Sequence, residues 1–578
     1  MPDSGKDAAE KKVQTIAGVP PEIDVAFYKS MPLEASGYPG FAPGSRILKA
    51  GEVHREGGQP LPVDMIEERD QAVVLRDGTT IYVDIFRPVG DEPVSAILAW
   101  SPYGKRNGFL RMDIYPNRMD VDPSWEDGLN KFEGPNPGYW VGHGYAVVNS
   151  DSRGVGKSEG DIQFFGQQDA MDEYDLIEWL AEREWSDGKV ALAGNSWLSV
   201  TQYFVAALRP PHLAAIAPWE GGGDLYRATC ARGGIPEVEF SRLASSTLSG
   251  EGWTEDWPSM GLTHPEFDAY WQSKVPDLSA IEVPAYIAAS WTNLLHTHAT
   301  FEAWRNIASR DKWLRVHNTH EWNDFYNPAN VEDLRRFFDH VVKGVDNGWE
   351  ATPRVRLSVL DPGHTDIVGR AEQDFPLKRE EFETYHLDLN ACELQKSLPS
   401  EASSRTYDAD SPGVTLRHTF DCDTEITGYG KLRLWITADS ADDLDVFVYV
   451  SKLGRDGVEQ LAHVVTDRNH AGMNGRLRAS LRRLDPTRST PSEPFYSFTS
   501  TEKLVPGQPV ALEIGLWPYS LFFHSGESLQ LRVTGVDLLV RPEHPDLAKD
   551  PTVNVGSHTV HSGGAFDSAL VLPVVGRG

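Results

Sequence analysis

Val190-Ala191-Leu192-Ala193-Gly194-Asn195-Ser196-Trp197-Leu198-Ser199-Val200-Thr201-Gln202-Tyr203-Phe204-Val205-Ala206-Ala207 begins as an apolar, strand-forming run and becomes an amphipathic helix immediately after Gly194-Asn195-Ser196. A strand that turns this abruptly into a helix lifts the serine at the turn above the end of its sheet, the geometry of a nucleophile elbow. Ser196 is therefore the candidate nucleophile. The Gly-x-Ser-x-Gly pattern of such elbows is half kept, because Leu198 stands where the second glycine belongs. A bare Gly-x-Ser is common in ordinary loops, so the assignment rests on the sequence around it.

Upstream, Gly144-Tyr145-Ala146-Val147-Val148-Asn149-Ser150 reads as a buried strand and runs into Asp151-Ser152-Arg153-Gly154-Val155-Gly156-Lys157-Ser158-Glu159-Gly160, a loop punctuated by glycine. The segment from Asp169 to Glu182 then carries Met171, Tyr174, Leu176, Ile177 and Leu180 at helical spacing, with acidic residues in its first turn. Strand, loop, helix and the Ser196 strand alternate as a parallel βαβ sheet requires. The glycine loop is no phosphate cradle: it lacks Lys-Ser/Thr after its last glycine, and its glycines do not fit Gly-x-Gly-x-x-Gly at a helix start.

Downstream, residues 221 to 282 read as helix and loop, with Trp253, Trp257, Tyr270 and Trp271 scattered through them. The α/β pattern resumes at Val283-Pro284-Ala285-Tyr286-Ile287-Ala288-Ala289-Ser290-Trp291, with a helix from about His298 to Ala308, a strand Lys312-Trp313-Leu314-Arg315-Val316 and a helix around Val331 to Val342. After Gly344, Leu432-x-Leu434-x-Ile436, Val446-x-Val448-x-Val450, Leu512-x-Ile514-x-Leu516 and Leu529-x-Leu531-x-Val533 alternate at period two between Asp, Gly and Pro clusters. Many short strands of this kind mean an all-β sandwich or jelly roll.

A chain of 578 residues predicts two or three domains. Its formal charge of −31 disfavours nucleic acid and anionic membrane surfaces as partners. Cys230, Cys392 and Cys422 are an odd set without Cys-x-x-Cys spacing, which argues against a disulfide framework or a zinc site. The first residues, Met1 to Asp7, are polar and lead into no apolar segment, and no stretch approaches the roughly 20 apolar residues of a membrane span, so a cytoplasmic location is expected. A homo-oligomer is left open.

The runs Val74-Leu75-Arg76-Asp77-Gly78-Thr79-Thr80-Ile81-Tyr82-Val83-Asp84-Ile85-Phe86-Arg87-Pro88, Ser101-Pro102-Tyr103-Gly104-Lys105, Asp151-x-Arg153-Gly154-x-Gly156-x-Ser158-x-Gly160 and Trp185-Ser186-Asp187-Gly188-Lys189-Val190, leading into Gly194-Asn195-Ser196-Trp197-Leu198, resemble the cocaine esterase and X-Pro dipeptidyl-peptidase group of serine hydrolases. Leu484-Asp485-Pro486 and Leu516-Trp517-Pro518, before Ser525-Gly526-Glu527-Ser528-Leu529-Gln530-Leu531, extend the resemblance to the C-terminal part. The resemblance implies an α/β fold: an α/β-hydrolase domain with a helical cap, followed by a C-terminal all-β jelly-roll domain. The expected division is an arm over 1–63, the catalytic domain over 64–220 and 283–345, the cap over 221–282 and the jelly roll over 346–578. It further implies Ser196 as nucleophile, the backbone N–H of Trp197 as one oxyanion donor and the Tyr103 hydroxyl as the other. Two fixed donors suit a carbonyl that develops alkoxide charge, each worth a factor of roughly 10² to 10³ in a dry site.

In α/β-hydrolases the acid and then the histidine follow the serine along the chain. The last strand delivers His317-Asn318-Thr319-His320-Glu321-Trp322. In the group resembled, the base ends a Gly-Pro-Trp-x-His turn, and position alone puts His320 there, with His317 the alternative. The aspartate expected after Ala289-Ser290-Trp291-Thr292 is replaced by Asn293, which can accept an imidazole N–H but cannot stabilise imidazolium by charge. Glu321 or Asp324 is the alternative acid. His296 and His298, with Glu302, invite a metal reading, but rings at such spacing on a helix start point apart and no third ligand follows, so pocket lining or capping is preferred and no metal or other cofactor is expected.

These features together predict a serine hydrolase that cleaves an ester or amide bond of a small-molecule substrate through an acyl-enzyme. An acyl transferase or cyclase on the same Ser-His machinery, a dipeptidyl-peptidase and a catalytically idle binding protein remain alternatives. The dipeptidyl-peptidase needs an acidic anchor for a free amine, for which Glu220 and Asp224 are the candidates.

Overall fold

The computed structural model describes residues 10–106, 110–462, 472–539 and 551–576. Residues 1–9 of the expected arm lie outside them, as do 463–471, 540–550 and 577–578 of the expected jelly roll. Two large sheets organise the described residues. In the first, of eleven strands, Val94–Ala99, Tyr145–Asp151, Ser186–Asn195, Leu213–Trp219, Ala285–Ser290, Lys312–His317 and Val355–Val359 run parallel to their neighbours within this set. Tyr145–Asp151 and Ala285–Ser290 are buried along their whole length, as strands covered on both faces must be.

Adjacent residues of these strands feed opposite faces. Ile97, Ala191, Ala193 and Ala288 pack with Phe337 and Phe338 of the helix Pro328–Val341. Leu98, Leu192 and Ile287 pack on the other face with Leu176 and Ile177 of the helix Gln167–Ala181 and with Tyr203 and Phe204 of the helix Trp197–Ala207. Ser186–Asn195 lies between Val94–Ala99 and Leu213–Trp219, so the serine that follows it leaves the sheet at its centre. That is where open α/β sheets bind ligands, at the carboxyl ends of their strands.

The second sheet, of twelve strands, is all-β, and its longest pair is Thr424–Ala438 with Val510–Phe523, antiparallel with a register shift between Gly428 and Gly430. The chain is thus an N-terminal α/β domain followed by a C-terminal all-β domain. The sheets do not part at residue 345, however. Val355–Val359 adds to Lys312–His317 and Ile367–Glu372 closes that edge of the hydrolase sheet, which short strands with no distinguishing period could not announce.

The arm is built into the fold by strand pairing. Gly44–Leu48 forms the opposite edge of the hydrolase sheet, and Lys11–Gln14 pairs with Val25–Lys29, which pairs in turn with Trp253–Glu255. The segment 221–282 therefore carries a short strand as well as the helices Glu239–Ser246, Trp257–Thr263 and Ala269–Gln272. Its tight turn Arg232–Gly234 seats against the strand Met473–Arg478, where a Cβ on Gly233 would lie 2.0 Å from the carbonyl oxygen of Arg476. Gly233 also has a φ of +63°, a conformation costly for any other residue type. Gly233→Ala is expected to lower stability by roughly 2–4 kcal/mol, from backbone strain plus overpacking. Urea unfolding checks this, and a variant as stable as the parent would mean that the seam yields freely.

Candidate active site

Ser196 sits between the strand and the helix with φ 55° and ψ −115°. A non-glycine residue in this region is strained, and the surrounding structure must hold it there. Its N–H donates to the carbonyl of Trp219 at 3.1 Å, and the amides of Ser199 and Val200 donate to its own carbonyl at 2.9 and 3.0 Å. Leu198 stands where a second glycine was expected because it packs over Gly194: a Cβ on Gly194 would lie 2.3 Å from that of Leu198. The tight approach is kept, with only one of the two residues small.

The imidazole that meets Ser196 is His296, whose Nε2 is 3.0 Å from the serine Oγ. His296 stands at the N-terminal end of the helix Thr297–Asn306, which comes this close because Gly221 and Gly222 carry no side chains. A Cβ on Gly222 would lie 2.2 Å from the carbonyl carbon of Ala299, and one on Gly221 2.5 Å from Ser199 Oγ. The Gly221 amide donates to Thr300 Oγ1 at 3.0 Å, fastening the turn to the helix. Burial alone depresses the His296 pKa to about 3, so the ring is neutral at physiological pH and its Nε2 accepts from the serine.

Tyr103 brings its hydroxyl within hydrogen-bonding reach of the Ser196 side chain, and its ring packs edge-on against Phe132 and Trp197 at 5.4 and 5.7 Å. Burial, then Glu133, Tyr115 and Glu321, push its pKa up, which keeps it a protonated donor. Trp197 opens the helix, so its amide belongs to the first turn, where N–H groups lack intrahelical acceptors.

His320 is placed otherwise than its position in the sequence predicts. It caps the helix Glu321–Tyr326, its Nδ1 accepts from the Trp322 amide at 3.2 Å, and its ring lies 4.9 Å from that of Trp322. His317 is buried with its Nε2 2.6 Å from Glu220 Oε1 and 3.9 Å from Asp324 Oδ2. Burial pulls its pKa down, but Asp324 and Glu220 more than offset this and leave it raised. Asp324 is held in turn by both terminal nitrogens of Arg315, each at 2.6 Å. Glu220 is thereby committed to an imidazole, and Asp224 to Arg227 at 2.9 Å.

Asn293 does not direct its carbonyl to an imidazole. Its Oδ1 accepts from the backbone amides of Leu295 and His296, at 3.0 and 3.2 Å, and its Nδ2 donates to Glu321 Oε2 at 3.1 Å. Asn195, beside the nucleophile, donates to the same oxygen at 2.9 Å. Burial, with Glu133 and Glu220 adding to it, raises the Glu321 pKa well above the carboxylate range, and burial lifts Glu133 to about 8. Glu133 has no counterpart in the expected site, and nothing in its local sequence marks it.

A small cavity adjoins Ser196, with room for about 30 Å³, one or two waters. Phe165, Trp197, Leu225, Phe240, Trp257 and Ala299 make most of its wall apolar, and no carboxylate is among its lining residues. Around His298, Glu302 and Arg305 of the same helix, a larger cavity of about 270 Å³ opens toward the all-β domain, where Arg232 stacks 3.4 Å over the ring of Trp517.

Comparison with known proteins agrees with this architecture. The model of the X-Pro dipeptidyl-peptidase (S15 family) matches residues 77–259, and that of the X-Pro dipeptidyl-peptidase C-terminal non-catalytic domain matches residues 347–571. The crystal structure of a CocE/NonD family hydrolase from Staphylococcus aureus is 32% identical and superposes with a TM-score of 0.87, covering 96% of this chain and 100% of that one. The chain belongs to the CocE/NonD hydrolase family. Like the relatives of this family it is a serine hydrolase. Cocaine esterase from a Rhodococcus species is 27% identical over 403 residues, 58% of this chain and 66% of that one. An aminopeptidase from a Thaumarchaeota archaeon shares the fold at 15% identity, with a TM-score of 0.67. Among the described residues, no helix of this CocE/NonD hydrolase is long and apolar enough to cross a membrane.

Asn293→Asp tests the electrostatics beneath the elbow. The new carboxylate would face Glu321 across the 3.1 Å now bridged by an amide, so its folded pKa would exceed its unfolded value. The variant's deficit is then small in acid and grows as pH rises above about 4, reaching roughly 2–4 kcal/mol at pH 8. Urea unfolding at pH 4.5 and pH 8 measures it, and an equal loss at both would reject the account.

Proposed function

We propose that the enzyme cleaves an activated ester with a compact, uncharged acyl group, using Ser196 as nucleophile and His296 as general base. The 3.0 Å contact between Ser196 Oγ and His296 Nε2, on a backbone strained to present the hydroxyl, carries the proposal. The serine oxygen attacks the carbonyl carbon and its proton passes to His296 Nε2. The Tyr103 hydroxyl and the Trp197 amide receive the developing oxyanion. Collapse expels the alcohol with the proton from His296, and water repeats the two steps to release the acid and free the serine.

The substrate class follows from what surrounds the base. Among the described residues no charge partner offsets the burial of His296, so the imidazolium formed during attack is stabilised mainly by the oxyanion beside it. A weak base of this kind favours good leaving groups, hence aryl esters and thioesters over amides. The apolar wall at Ser196 favours a small aliphatic or aromatic acyl group, and the paired states of Glu220 and Asp224 weigh against a dipeptide with a free amine.

Ser196→Ala should abolish labelling by a fluorophosphonate and lower turnover of an aryl ester by at least about 10³. His296→Ala should cost a similar factor, and Tyr103→Phe about 10² with folding intact. His320→Ala, which loses a helix cap, should cost about 1 kcal/mol of stability and leave kcat/KM within about threefold. Since His296 titrates at about 3, kcat/KM should stay flat from pH 8 down to pH 5. A fall below pH 6.5 together with an inactive His320→Ala enzyme would move the base to His320. Product analysis with added alcohols separates hydrolysis from acyl transfer.

A further inference from the structure

Asp361, His364, His524 and Glu527 each bring one ligand atom to within 4.8 Å of the other three. Asp361 and His364 follow the strand Val355–Val359 of the hydrolase sheet, and His524 and Glu527 form the turn between Val510–Phe523 and Ser528–Thr534 of the all-β sheet. The two turns are tied by the Phe522 amide, which donates to the carbonyl of Leu360 at 2.9 Å. His524 Nε2 lies 2.9 Å from Asp361 Oδ2, and His364 Nε2 lies 2.8 Å from Glu527 Oε1.

The remaining oxygen of each carboxylate is held from behind. Lys452, with no side-chain exposure, places its Nζ 2.5 Å from Asp361 Oδ1 and 2.9 Å from Glu527 Oε2, and the His524 amide donates to that same Oε2 at 2.8 Å. Asp361 Oδ2 and Glu527 Oε1 are thus turned toward two imidazoles whose centres are 4.3 Å apart. Two independent histidine–carboxylate pairs would stabilise a surface by little, and they have no need to converge on one point with a buried lysine behind them. Convergent first ligands fixed by partners on their far atoms are how metal sites are built.

We propose that these four side chains bind one divalent transition metal that clamps the hydrolase sheet to the all-β domain. The donor set is two imidazole nitrogens and two carboxylate oxygens without a thiolate, which suits zinc at about 2.0–2.2 Å per bond. A tetrahedral ion would set the ligand atoms about 3.3–3.5 Å apart, so the two close pairs open slightly and the wider pairs draw in. Each Nε2 binds through its lone pair: a neutral ring takes the Nδ1–H tautomer, and a charged ring releases its proton to solvent. Two carboxylates and Lys452 leave the cluster one negative charge with neutral rings, in a chain whose net charge is −31. The clamp is independent of the chemistry at Ser196.

The test is calorimetric titration of the chelator-stripped full-length chain with zinc chloride, with the metal content of the gel-filtered product measured by mass spectrometry. One zinc per chain is expected at pH 7.5 with an affinity of about micromolar or tighter, weaker by at least about tenfold at pH 6 because ligand protons compete. His364→Gln and His524→Gln should each weaken binding about 10- to 100-fold. The His364 side chain is 46% exposed, so its replacement leaves the fold intact even where the His524 variant does not. His212→Gln, at a surface histidine 2.7 Å from Glu178, should change nothing. Failure to bind zinc, or binding that both His364→Gln and Asp361→Asn retain in full, would overturn the proposal.

Discussion

The proposed catalytic arrangement depends on how closely the start of one helix can approach the end of one strand. Ser196 and His296 come from separate parts of the α/β domain, and they meet because Gly221 and Gly222 let the backbone of Thr297–Asn306 lie against the elbow. The strain at Ser196 is sustained because its strand is flanked on both sides by parallel neighbours, and its amide is bound to the end of one of them. A looser sheet would let the serine relax into an ordinary turn, and a bulkier 221–222 would remove the imidazole. The hydroxyl is presented by packing, before any polar contact is counted.

Beneath the elbow, a cluster of buried carboxyl groups explains the most conspicuous substitution in the site. Glu133 and Glu220 lie close enough to add to the rise that burial imposes on Glu321, and Glu220 is paired with the His317 ring. Glu321 instead draws on the neutral amides of Asn195 and Asn293. A further carboxylate at 293 would add a like charge to a place that already retains protons, whereas an amide donates with one end and organises the His296 turn with the other. Asn293 in place of the expected acid and Glu321 beneath it therefore belong to one hydrogen-bonded arrangement.

Much of this was legible in the sequence. The parallel core announced itself through apolar runs alternating with helical spacing, and the strands around 432, 448, 514 and 531 through their period of two, because both signals are set by burial along a single element. The seams were not legible. Gly44–Leu48, Val355–Val359 and Ile367–Glu372 are short edge strands whose pairing is decided by distant partners. The same limit applies at the site: Ser196, Tyr103 and Asn293 stand on motifs, while His296 was legible only as a capping or lining residue. The signal that points to it is Gly221-Gly222-Gly223, a run that allows backbone to meet backbone. Glu133 and the quartet around Lys452 join residues far apart in the chain, so no local pattern exposes them.

Two buried histidines illustrate how the environment divides their tasks. His317 lies among Glu220, Asp324 and Arg315, where opposite charge outweighs burial and favours the protonated ring. His296 has burial without a partner, which favours the neutral ring. The second is held neutral by its surroundings and so is free to accept a proton at neutral pH. The first, already committed to carboxylates, serves to neutralise charge beneath the sheet. A base that must be neutral and has no acid behind it gains its reactivity from proximity and from the oxyanion donors. In the proposed mechanism that places the burden of catalysis on Tyr103, the Trp197 amide and the leaving group rather than on the strength of the imidazole.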